Sequence, residues 1–154
     1  MTLEYRETRF ANPQFASFPD AERPRSRELL LRLGIKLPPS KADLASGRVK
    51  LWECVDGSQV LGHCAADLDT GEILILGVRS HHEGQGIGKT LLAHAVNWLR
   101  AEGARRIWLV APSDPTVRAF GFYRALGWRA TGDCPDSNNE VLEFPGDSHL
   151  WLSI

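Results

Sequence analysis

Short apolar runs alternate with polar turns along most of the chain. Runs that are rich in Val, Ile, Leu and aromatic side chains predict strands. The segments that fit this description are residues 3–10, 49–55, 60–68, 72–78, 106–111, 128–131 and 141–154, the last interrupted at Pro145-Gly146-Asp147. Asp56-Gly57-Ser58 is typical of a hairpin turn, so the second and third strands are expected to pair directly.

Other segments repeat apolar residues every three or four positions, which predicts helices. The clearest apolar face consists of Ile87, Leu91, Ala95 and Leu99. Further helices are expected after three N-cap signals: Ser26, the capping box of Ser40 with Asp43, and Asp114 followed by Pro115. Glycines are expected to end the helices, namely Gly34, Gly47, Gly103 and Gly127. Residues 11–25 predict a loop. This order of elements predicts a mixed α/β fold, with a central sheet and helices on both faces.

Composition narrows the class of protein. The chain has 154 residues, which predicts a single domain over 1–154, and 43% of them are hydrophobic. The formal net charge is -1 without a block of like charge, so neither nucleic acid nor a membrane surface is an expected partner. Cys54, Cys64 and Cys134 form no close pair and lack metal-ligand spacing, which favours reduced thiols, no bound metal and a cytoplasmic location. No run approaches membrane-spanning length, and the N-terminus does not fit a signal peptide.

Three alternate glycines, Gly84, Gly86 and Gly88, separate the strand over 72–78 from the following helix. The first N–H groups of a helix have no partner within it, and the helix dipole adds partial positive charge there. Glycines allow a phosphate to approach this backbone closely. The segment therefore predicts a binding site for a phosphate-bearing cofactor.

Two known phosphate-binding loops fit this segment poorly. A Walker A loop ends in Gly-Lys-Thr, as at 88–90, but its opening glycine would fall on Glu83. The dinucleotide fingerprint fails because Lys89 stands where its last glycine belongs. A nucleotide-binding protein is kept only as a distant alternative, because no second strand ending in a Mg²⁺-binding Asp is recognisable.

The segment resembles the acetyl-CoA loop of the GNAT N-acetyltransferase superfamily, whose consensus is roughly V-x-P-x-Y-R-G-x-G-I-G-x-x-L-L. The matching residues are Val78, Gly84, Gly86, Ile87, Gly88, Leu91 and Leu92. Ser80 replaces the usual proline, His82 the usual aromatic residue and Glu83 the usual Arg or Gln. Glu83 sets an anionic side chain near the expected pyrophosphate, which is expected to reduce affinity for the cofactor.

The segment 114–128 is similar to a later motif of the same superfamily, N-x-x-A-x-x-F-Y-x-x-L-G-[FW]. Thr116 replaces the usual Asn, and the matching residues are Ala119, Phe122, Tyr123, Leu126, Gly127 and Trp128. The two motifs lie in the expected order and cover about a third of the chain. The resemblance implies a mostly antiparallel mixed sheet, acetyl-CoA as co-substrate and, by family habit, a homodimer.

The resemblance also implies a set of residues around the cofactor. The thioester would lie between the strands over 72–78 and 106–111, with a backbone N–H near Gly77 or Val78 polarising its carbonyl. The cofactor-binding residues implied are Leu76, Gly77, Val78, Glu83, Gly84, Gln85, Gly86, Ile87, Gly88, Lys89, Thr90, Arg118, Phe120 and Tyr123. For Lys89, Arg118 and Phe120, a solvated helix position or a place in the core is the alternative.

Amine acetylation requires a neutral amine and benefits from a proton for the leaving thiolate. Tyr123 matches the family tyrosine near the cofactor sulfur and is the candidate proton donor, with a packed core aromatic as the alternative. The resemblance makes Glu72 the candidate base, since family members often carry a carboxylate at the start of this strand that acts directly or through a water. Residues 72, 74, 76 and 78 are expected to share one face, which would point Glu72 to the side of the acetyl group; a solvated strand-end carboxylate is at least as consistent. His81 and His82 are further candidates for the base, although surface positions fit them better.

The expected acceptor is a primary amine of a small molecule or a peptide. The family arrangement places it near residues 15–45 and 132–148, and the second segment carries Asp133, Asp136, Glu140, Glu143 and Asp147. These carboxylates suit a cationic amine, although solvated acidic loops explain them as well. A non-catalytic acyl-CoA-binding module is the alternative to an enzyme, because Glu83 and Thr116 depart from the motifs.

Overall fold

A computed structural model describes residues 2–9 and 39–146 of the chain. The strands are β1 (Glu4–Thr8), β2 (Val49–Asp56), β3 (Gln59–Asp67), β4 (Glu72–Val78), β5 (Trp108–Pro112), β6 (Arg129–Ala130) and β7 (Asn139–Glu143). The helices are α1 (Lys41–Ala45), α2 (Ile87–Ala101) and α3 (Arg118–Ala125), with a 3₁₀ turn at Ser80–His82. The predicted loop over 11–25, the helix after Ser26 and the chain beyond 146 lie outside the described residues.

The described strands form one sheet in the order β1-β2-β3-β4-β5-β7-β6. Every neighbouring pair is antiparallel except β4 and β5, which are parallel. These two strands are in register only at Glu72 and Trp108, at their N-terminal ends. They therefore diverge toward their C-terminal ends and leave a gap in the sheet beside Leu76. The predicted mixed, mostly antiparallel sheet is confirmed.

Both faces of the sheet carry a helix. The buried side chains of α2 include Leu91, Leu92 and Leu99, and they pack on the face that carries Cys64 and Ile73. Each fully buried leucine contributes about 1.5–3 kcal/mol to the free energy of unfolding.

The opposite face carries a smaller cluster of Leu51, Ala65 and Ile75, and Leu44 of α1 packs against it. The prediction of helices on both faces is therefore confirmed for the described part of the chain.

Local signals in the sequence correctly predicted several boundaries. Gly57 has φ +61° in the β2–β3 turn, and Gly103 has φ +84° just after α2. Ser40 caps α1 in the predicted capping box: its hydroxyl accepts the Asp43 N–H at 3.1 Å, and the Asp43 carboxylate accepts the Ser40 N–H at 3.2 Å. β5 begins two residues later than predicted, at Trp108.

The predicted N-cap of the last helix is wrong. Asp114 Oδ1 accepts the Thr116 N–H at 2.9 Å and its hydroxyl at 2.8 Å, and the Asp114 carbonyl accepts the Val117 N–H at 3.1 Å. These bonds close a separate turn, and α3 begins only at Arg118. An aspartate stabilises a turn or a helix start through the same short side chain, so this sequence signal did not distinguish the two.

A β-bulge in β4 overturns a second prediction. Ala66 pairs with Ile73 and Ala65 with Ile75, so Leu74 is an extra residue in the ladder. Leu74 and Ile75 consequently contact the same cluster, while Leu76 packs against the core beneath α2.

The bulge reverses which residues of β4 share a face, so the expectation that residues 72, 74, 76 and 78 lie together is wrong. Ile73 belongs to the core beneath α2, and successive side chains of a strand alternate between faces. Glu72 therefore lies on the face opposite to that of Leu76 and Val78.

Candidate active site

The loop between β4 and α2 presents backbone donors, as the glycines predict. Gly84 and Gly86 have φ +80° and +83°, a conformation that costs glycine little. The first intrahelical bond of α2 joins the Thr90 N–H to the Gly86 carbonyl at 3.0 Å. Three N–H groups therefore have no partner within the helix, those of Ile87, Gly88 and Lys89. Together with the dipole of the 15-residue helix, they form an anion-binding position.

A cavity of about 530 Å³ lies between this loop and α3. Its wall consists of Leu76, Val78, His82, Glu83, Gly84, Gly86, Ile87, Gly88, Lys89, Val117, Arg118, Ala119, Phe122, Tyr123, Ala125 and Leu126. The volume is in the range of small-molecule and cofactor sites. The cavity has backbone N–H groups that can bind an anion at one end and apolar side chains along α3. This combination suits a ligand that has a phosphorylated part and a long, weakly polar part.

Most of the predicted cofactor residues line this cavity, and four do not: Gly77, Gln85, Thr90 and Phe120. Thr90 is instead hydrogen-bonded through its side chain to Tyr5 of β1. The Phe120 ring lies beneath the Arg124 guanidinium, 3.5 Å from ring centroid to Cζ. The side chains of Thr90 and Phe120 thus make contacts elsewhere in the fold.

Six lining residues were not among the predicted cofactor-binding residues, and five of them lie on α3 or directly beside its ends: Val117, Ala119, Phe122, Ala125 and Leu126. Ala119, Phe122 and Leu126 recur at helical spacing, a pattern that predicted an apolar face but did not distinguish core from cavity wall. A Cβ on Gly88 would lie 3.4 Å from Phe122 Cζ, at van der Waals contact, so α2 passes close to α3 at this position. His82 also lines the cavity, and its Nδ1 is buried without a hydrogen-bond partner within the described part of the chain.

Glu83, the acidic departure from the expected motif, lies opposite a cation. Arg118 Nε is 3.4 Å from Glu83 Oε2, and the two side chains are 62% and 39% exposed. Lys89 is the other cation in the cavity wall. The wall thus has two cations and one carboxylate, so the cavity wall retains a net positive charge despite Glu83.

Tyr123 is held by aromatic neighbours. Its ring lies edge-on to Phe122 and Trp128, with centroid separations of 5.1 and 5.9 Å. Burial raises the pKa of its phenol well above the usual value, and the nearby Cys64 raises it further. The hydroxyl therefore stays protonated at every working pH and acts as a hydrogen-bond donor.

A second cavity of about 210 Å³ occupies the gap between β4 and β5. It is lined by Leu76, Val110, Ala111, Pro112, Ala119, Tyr123 and Asn139. Leu76, Ala119 and Tyr123 also line the larger cavity. Tyr123 therefore lies where the two cavities meet, at the divergence of the parallel strands.

The structure does not bring Glu72 to either cavity. It lies at the closed end of the β4–β5 pair, four residues from Leu76, or about 13 Å along the strand. It also lies on the opposite face of β4 because of the bulge. His81 lies in the loop and is exposed, and it lines neither cavity.

Within residues 2–9 and 39–146, no group of three or more His, Cys, Asp or Glu side chains is arranged to hold a metal ion. The helices within the same ranges are too short or too polar to cross a membrane.

Comparison with known proteins places this arrangement in a family. Residues 13–128 match the sequence model of the acetyltransferase (GNAT) family. No curated protein sequence matches the chain.

Solved structures share the fold at low sequence identity. The PaiA N-acetyltransferase of Thermoplasma acidophilum, solved with coenzyme A, superposes with a TM-score of 0.64 at 18% identity, over 93% of this chain and 98% of that one. The IAA acetyltransferase of Bacillus cereus superposes with a TM-score of 0.60 at 20% identity, over 93% and 100%. A Bacillus subtilis acetyltransferase in complex with CoA gives 0.61 at 14% identity, over 92% and 97%.

Proposed function

Since the chain belongs to the acetyltransferase (GNAT) family, whose members are acetyl-CoA-dependent N-acetyltransferases, we propose that it acetylates a primary amine of a small molecule or peptide by direct attack on acetyl-CoA. The observation that carries this proposal is the position of Tyr123, at the junction of the cofactor-sized cavity and the gap between β4 and β5. A reacting amine and a thioester can meet there without a covalent enzyme intermediate.

The residues present fit acetyl-CoA. The N–H groups of Ile87, Gly88 and Lys89 would hold its pyrophosphate, with Lys89 and Arg118 adding positive charge. Ala119 and Phe122 of α3, and Leu126 just after it, would contact its pantetheine arm. The two relatives solved with CoA support this assignment.

Bound acetyl-CoA supplies an activated thioester: its C–S bond breaks as the amide C–N bond forms, and the proton lost by the amine balances the one gained by sulfur. The Tyr123 hydroxyl would donate a hydrogen bond to the leaving sulfur. Because burial raises the pKa of its phenol, Tyr123 would stabilise the thiolate as a donor rather than by giving up its proton. Glu72 receives no support as the base from its place in the fold.

A substitution at Tyr123 separates an enzyme from a non-catalytic acyl-CoA-binding module. We expect wild type to release CoA thiol when it is given acetyl-CoA and an amine, and Tyr123→Phe to lower kcat about 10- to 100-fold. The Kd for CoA should change less than about threefold, because the ring and its aromatic contacts remain. A matched control, Tyr5→Phe, removes a hydroxyl that lies on β1 and contacts Thr90 instead of the cavities.

The binding measurement is a thermal-shift titration with acetyl-CoA, CoA and ATP–Mg²⁺ in parallel. A ligand at 100 times its Kd raises the free energy of unfolding by about 2.7 kcal/mol. Stabilisation by acetyl-CoA and CoA, but not by ATP, supports the proposal. Binding without thiol release from any amine would favour the non-catalytic module, and stabilisation by ATP alone would contradict the cofactor assignment.

A further inference from the structure

The smaller cavity, in the gap between β4 and β5, is lined from both faces of the sheet. Ala111 belongs to the core beneath α2, so its neighbours Val110 and Pro112 lie on the opposite face. Pro112 is paired with Asn139 of β7, and residues directly opposite each other in neighbouring strands share a face. Asn139 therefore lines the gap from the face opposite to α2, whereas Tyr123 lines it from the helical side.

The wall of this cavity is mostly apolar. Asn139 and Tyr123 carry its polar side chains, and the other described lining residues are Leu76, Val110, Ala111, Pro112 and Ala119. An amine that enters such a gap brings N–H groups that lose water and need a hydrogen-bond acceptor. A side-chain amide has one, its carbonyl oxygen. Asn139 thus offers an acceptor on the side of the gap that faces away from the cofactor cavity.

Asp136 determines which end of the Asn139 amide is available. Asn139 Nδ2 donates to Oδ1 and Oδ2 of Asp136 at 3.0 and 3.1 Å. The Asn138 N–H, which donates to Asp136 Oδ1 at 2.8 Å, and the Asn139 amide lower the pKa of the Asp136 carboxyl. An ionised carboxylate only accepts hydrogen bonds, so the amide nitrogen has to face Asp136 and Oδ1 faces away from it. Within the described part of the chain, Asn139 Oδ1 accepts no hydrogen bond.

The turn that carries Asp136 is tied to the neighbouring strands. Asp136 and Asn139 form a backbone bridge, and the Ser113 N–H donates to the Asn138 carbonyl at 3.0 Å. Asn139 itself is half-buried. These contacts hold the amide in place before a ligand arrives, which lowers the entropy cost of binding.

We propose that Asn139 binds the reacting amine: its Oδ1 accepts a hydrogen bond from the amine nitrogen, and Asp136 holds the amide in this orientation. The inference rests on the proposed function. As the amine attacks the thioester, its nitrogen gains positive charge, and a carbonyl dipole directed at the N–H group stabilises that charge. Asn139 gains and loses no proton in this step. It is a catalytic residue because it contacts the substrate, whereas Asp136 is a positioning residue that acts through it.

The experiment uses butylamine and glycinamide, two small unhindered primary amines that represent a small-molecule acceptor and a peptide N-terminus. For each, kcat/KM is measured together with the Kd for CoA and the melting temperature. The variants are Asn139→Leu, which keeps the shape of the side chain, Asp136→Asn, and the double variant Asp136→Asn with Asn139→Asp, which exchanges the two side chains.

The three variants should differ in kcat/KM for the amine. Asn139→Leu should lower it about 10- to 100-fold, as expected for loss of a hydrogen bond to a charged group. Asp136→Asn should lower it about 3- to 10-fold, because an amide also accepts hydrogen bonds and lets Asn139 turn its nitrogen toward the gap part of the time. The exchange should regain about tenfold over Asn139→Leu, since the new amide donates to the new carboxylate, which again presents an oxygen.

Binding of the cofactor separates this role from a structural one. The Kd for CoA should change less than about twofold in all three variants, because neither Asp136 nor Asn139 lines the cofactor cavity. Asn138→Leu is the matched control: this neighbouring side chain is exposed and lines neither cavity, so its kcat/KM should stay within about twofold of wild type.

Several results would overturn the assignment. They are a loss of less than about threefold in folded Asn139→Leu, an exchange variant as slow as Asn139→Leu, and parallel losses of kcat/KM, CoA binding and melting temperature. If Asn139→Leu does not fold, an unchanged kcat/KM in Asp136→Asn overturns it instead.

Failure of the proposed function gives a different result. A site that contacts only the reacting nitrogen should accept any unhindered primary amine. Wild-type protein that binds acetyl-CoA but acetylates neither probe therefore also overturns the assignment of Asn139, while the acetyltransferase proposal stands. Protein that does not bind acetyl-CoA contradicts the proposed function itself.

Discussion

The carboxylate of Glu83 is the sharpest departure from the expected cofactor loop, and its neutralisation gives a quantitative prediction. In the structure this group opposes Arg118 at 3.4 Å, with both side chains partly exposed. Exposed pairs of this kind contribute about 0.2–1 kcal/mol to the free energy of unfolding. Glu83→Gln should therefore cost little stability. The substitution leaves Arg118 free to approach a phosphate group of the cofactor. It also removes from the loop a negative charge that would repel this phosphate.

We expect Glu83→Gln to tighten CoA binding. A gain of up to about 1 kcal/mol corresponds to a Kd lowered by up to about fivefold. Arg118→Gln should have the opposite effect, and in the double variant the two changes should not add, because each removes one partner of the same pair. The assay is calorimetric titration with CoA at about 50 mM and about 500 mM salt, and the higher salt should reduce the difference between wild type and Glu83→Gln.

Glu102→Gln is the matched control, since this exposed carboxylate follows the far end of α2, about 22 Å from its N-terminus. That separation exceeds the screening length at about 0.1 M salt, so its CoA affinity should equal that of wild type. An unchanged affinity in Glu83→Gln would refute the electrostatic reasoning, and a weaker affinity would indicate in addition that the carboxylate itself contacts the cofactor.

Two further predictions concern stability. Gly71→Ala should destabilise the fold by more than about 3 kcal/mol in a urea titration, because its Cβ would lie 1.8 Å from the Arg106 carbonyl oxygen where β4 and β5 pair. Gly103→Ala is the control: it has a similar positive φ but open space around the Cβ, so it should lose only about 1–2 kcal/mol. Equal losses in the two variants would contradict a steric clash at Gly71. His63 has a folded pKa of about 3, below the unfolded 6.5, so the unfolded state binds the extra proton and stability is lost as pH falls from neutral. Between pH 7 and 5 this difference in pKa should lower the free energy of unfolding by about 2 kcal/mol. The His63→Gln variant should lack that part of the loss. An identical dependence of the unfolding free energy on pH in both proteins would argue against a neutral buried imidazole.

Sequence reasoning predicted those parts of the fold that depend on local chemistry. Gly57 and Gly103 adopt positive φ where a turn or helix end was expected, and Ser40 forms its capping box within four residues. The helix after the glycine loop was predicted from apolar residues that repeat every three or four positions, and this pattern lies within the helix itself. In each case, the residues that carry the signal are the ones that make the contact.

Predictions that required a distant partner were less complete. Glu83 was expected to weaken the phosphate site, whereas Arg118, 35 positions later in the chain, opposes its charge. No local pattern indicates that pairing, because it depends on how α3 packs against the loop. For Asp114, the local signal was present but ambiguous, since an Asx turn and an N-cap use the same carboxylate.

The bulge in β4 shows most clearly how a detail of strand pairing decides which side chains line the candidate site. The run from Ile73 to Leu76 is uniformly apolar, so the sequence does not indicate which of these residues lie on which face of the sheet. Only the register with Ala65 and Ala66 identifies Leu74 as the extra residue. A regular strand would place Gly77 on the same face as Ile73, beneath α2. With the bulge, Leu76 lies on the face beneath α2 and lines both cavities, whereas Gly77 lies on the opposite face. The same extra residue thus brings Leu76 to the junction of the two cavities and leaves Glu72 on the other face of the strand.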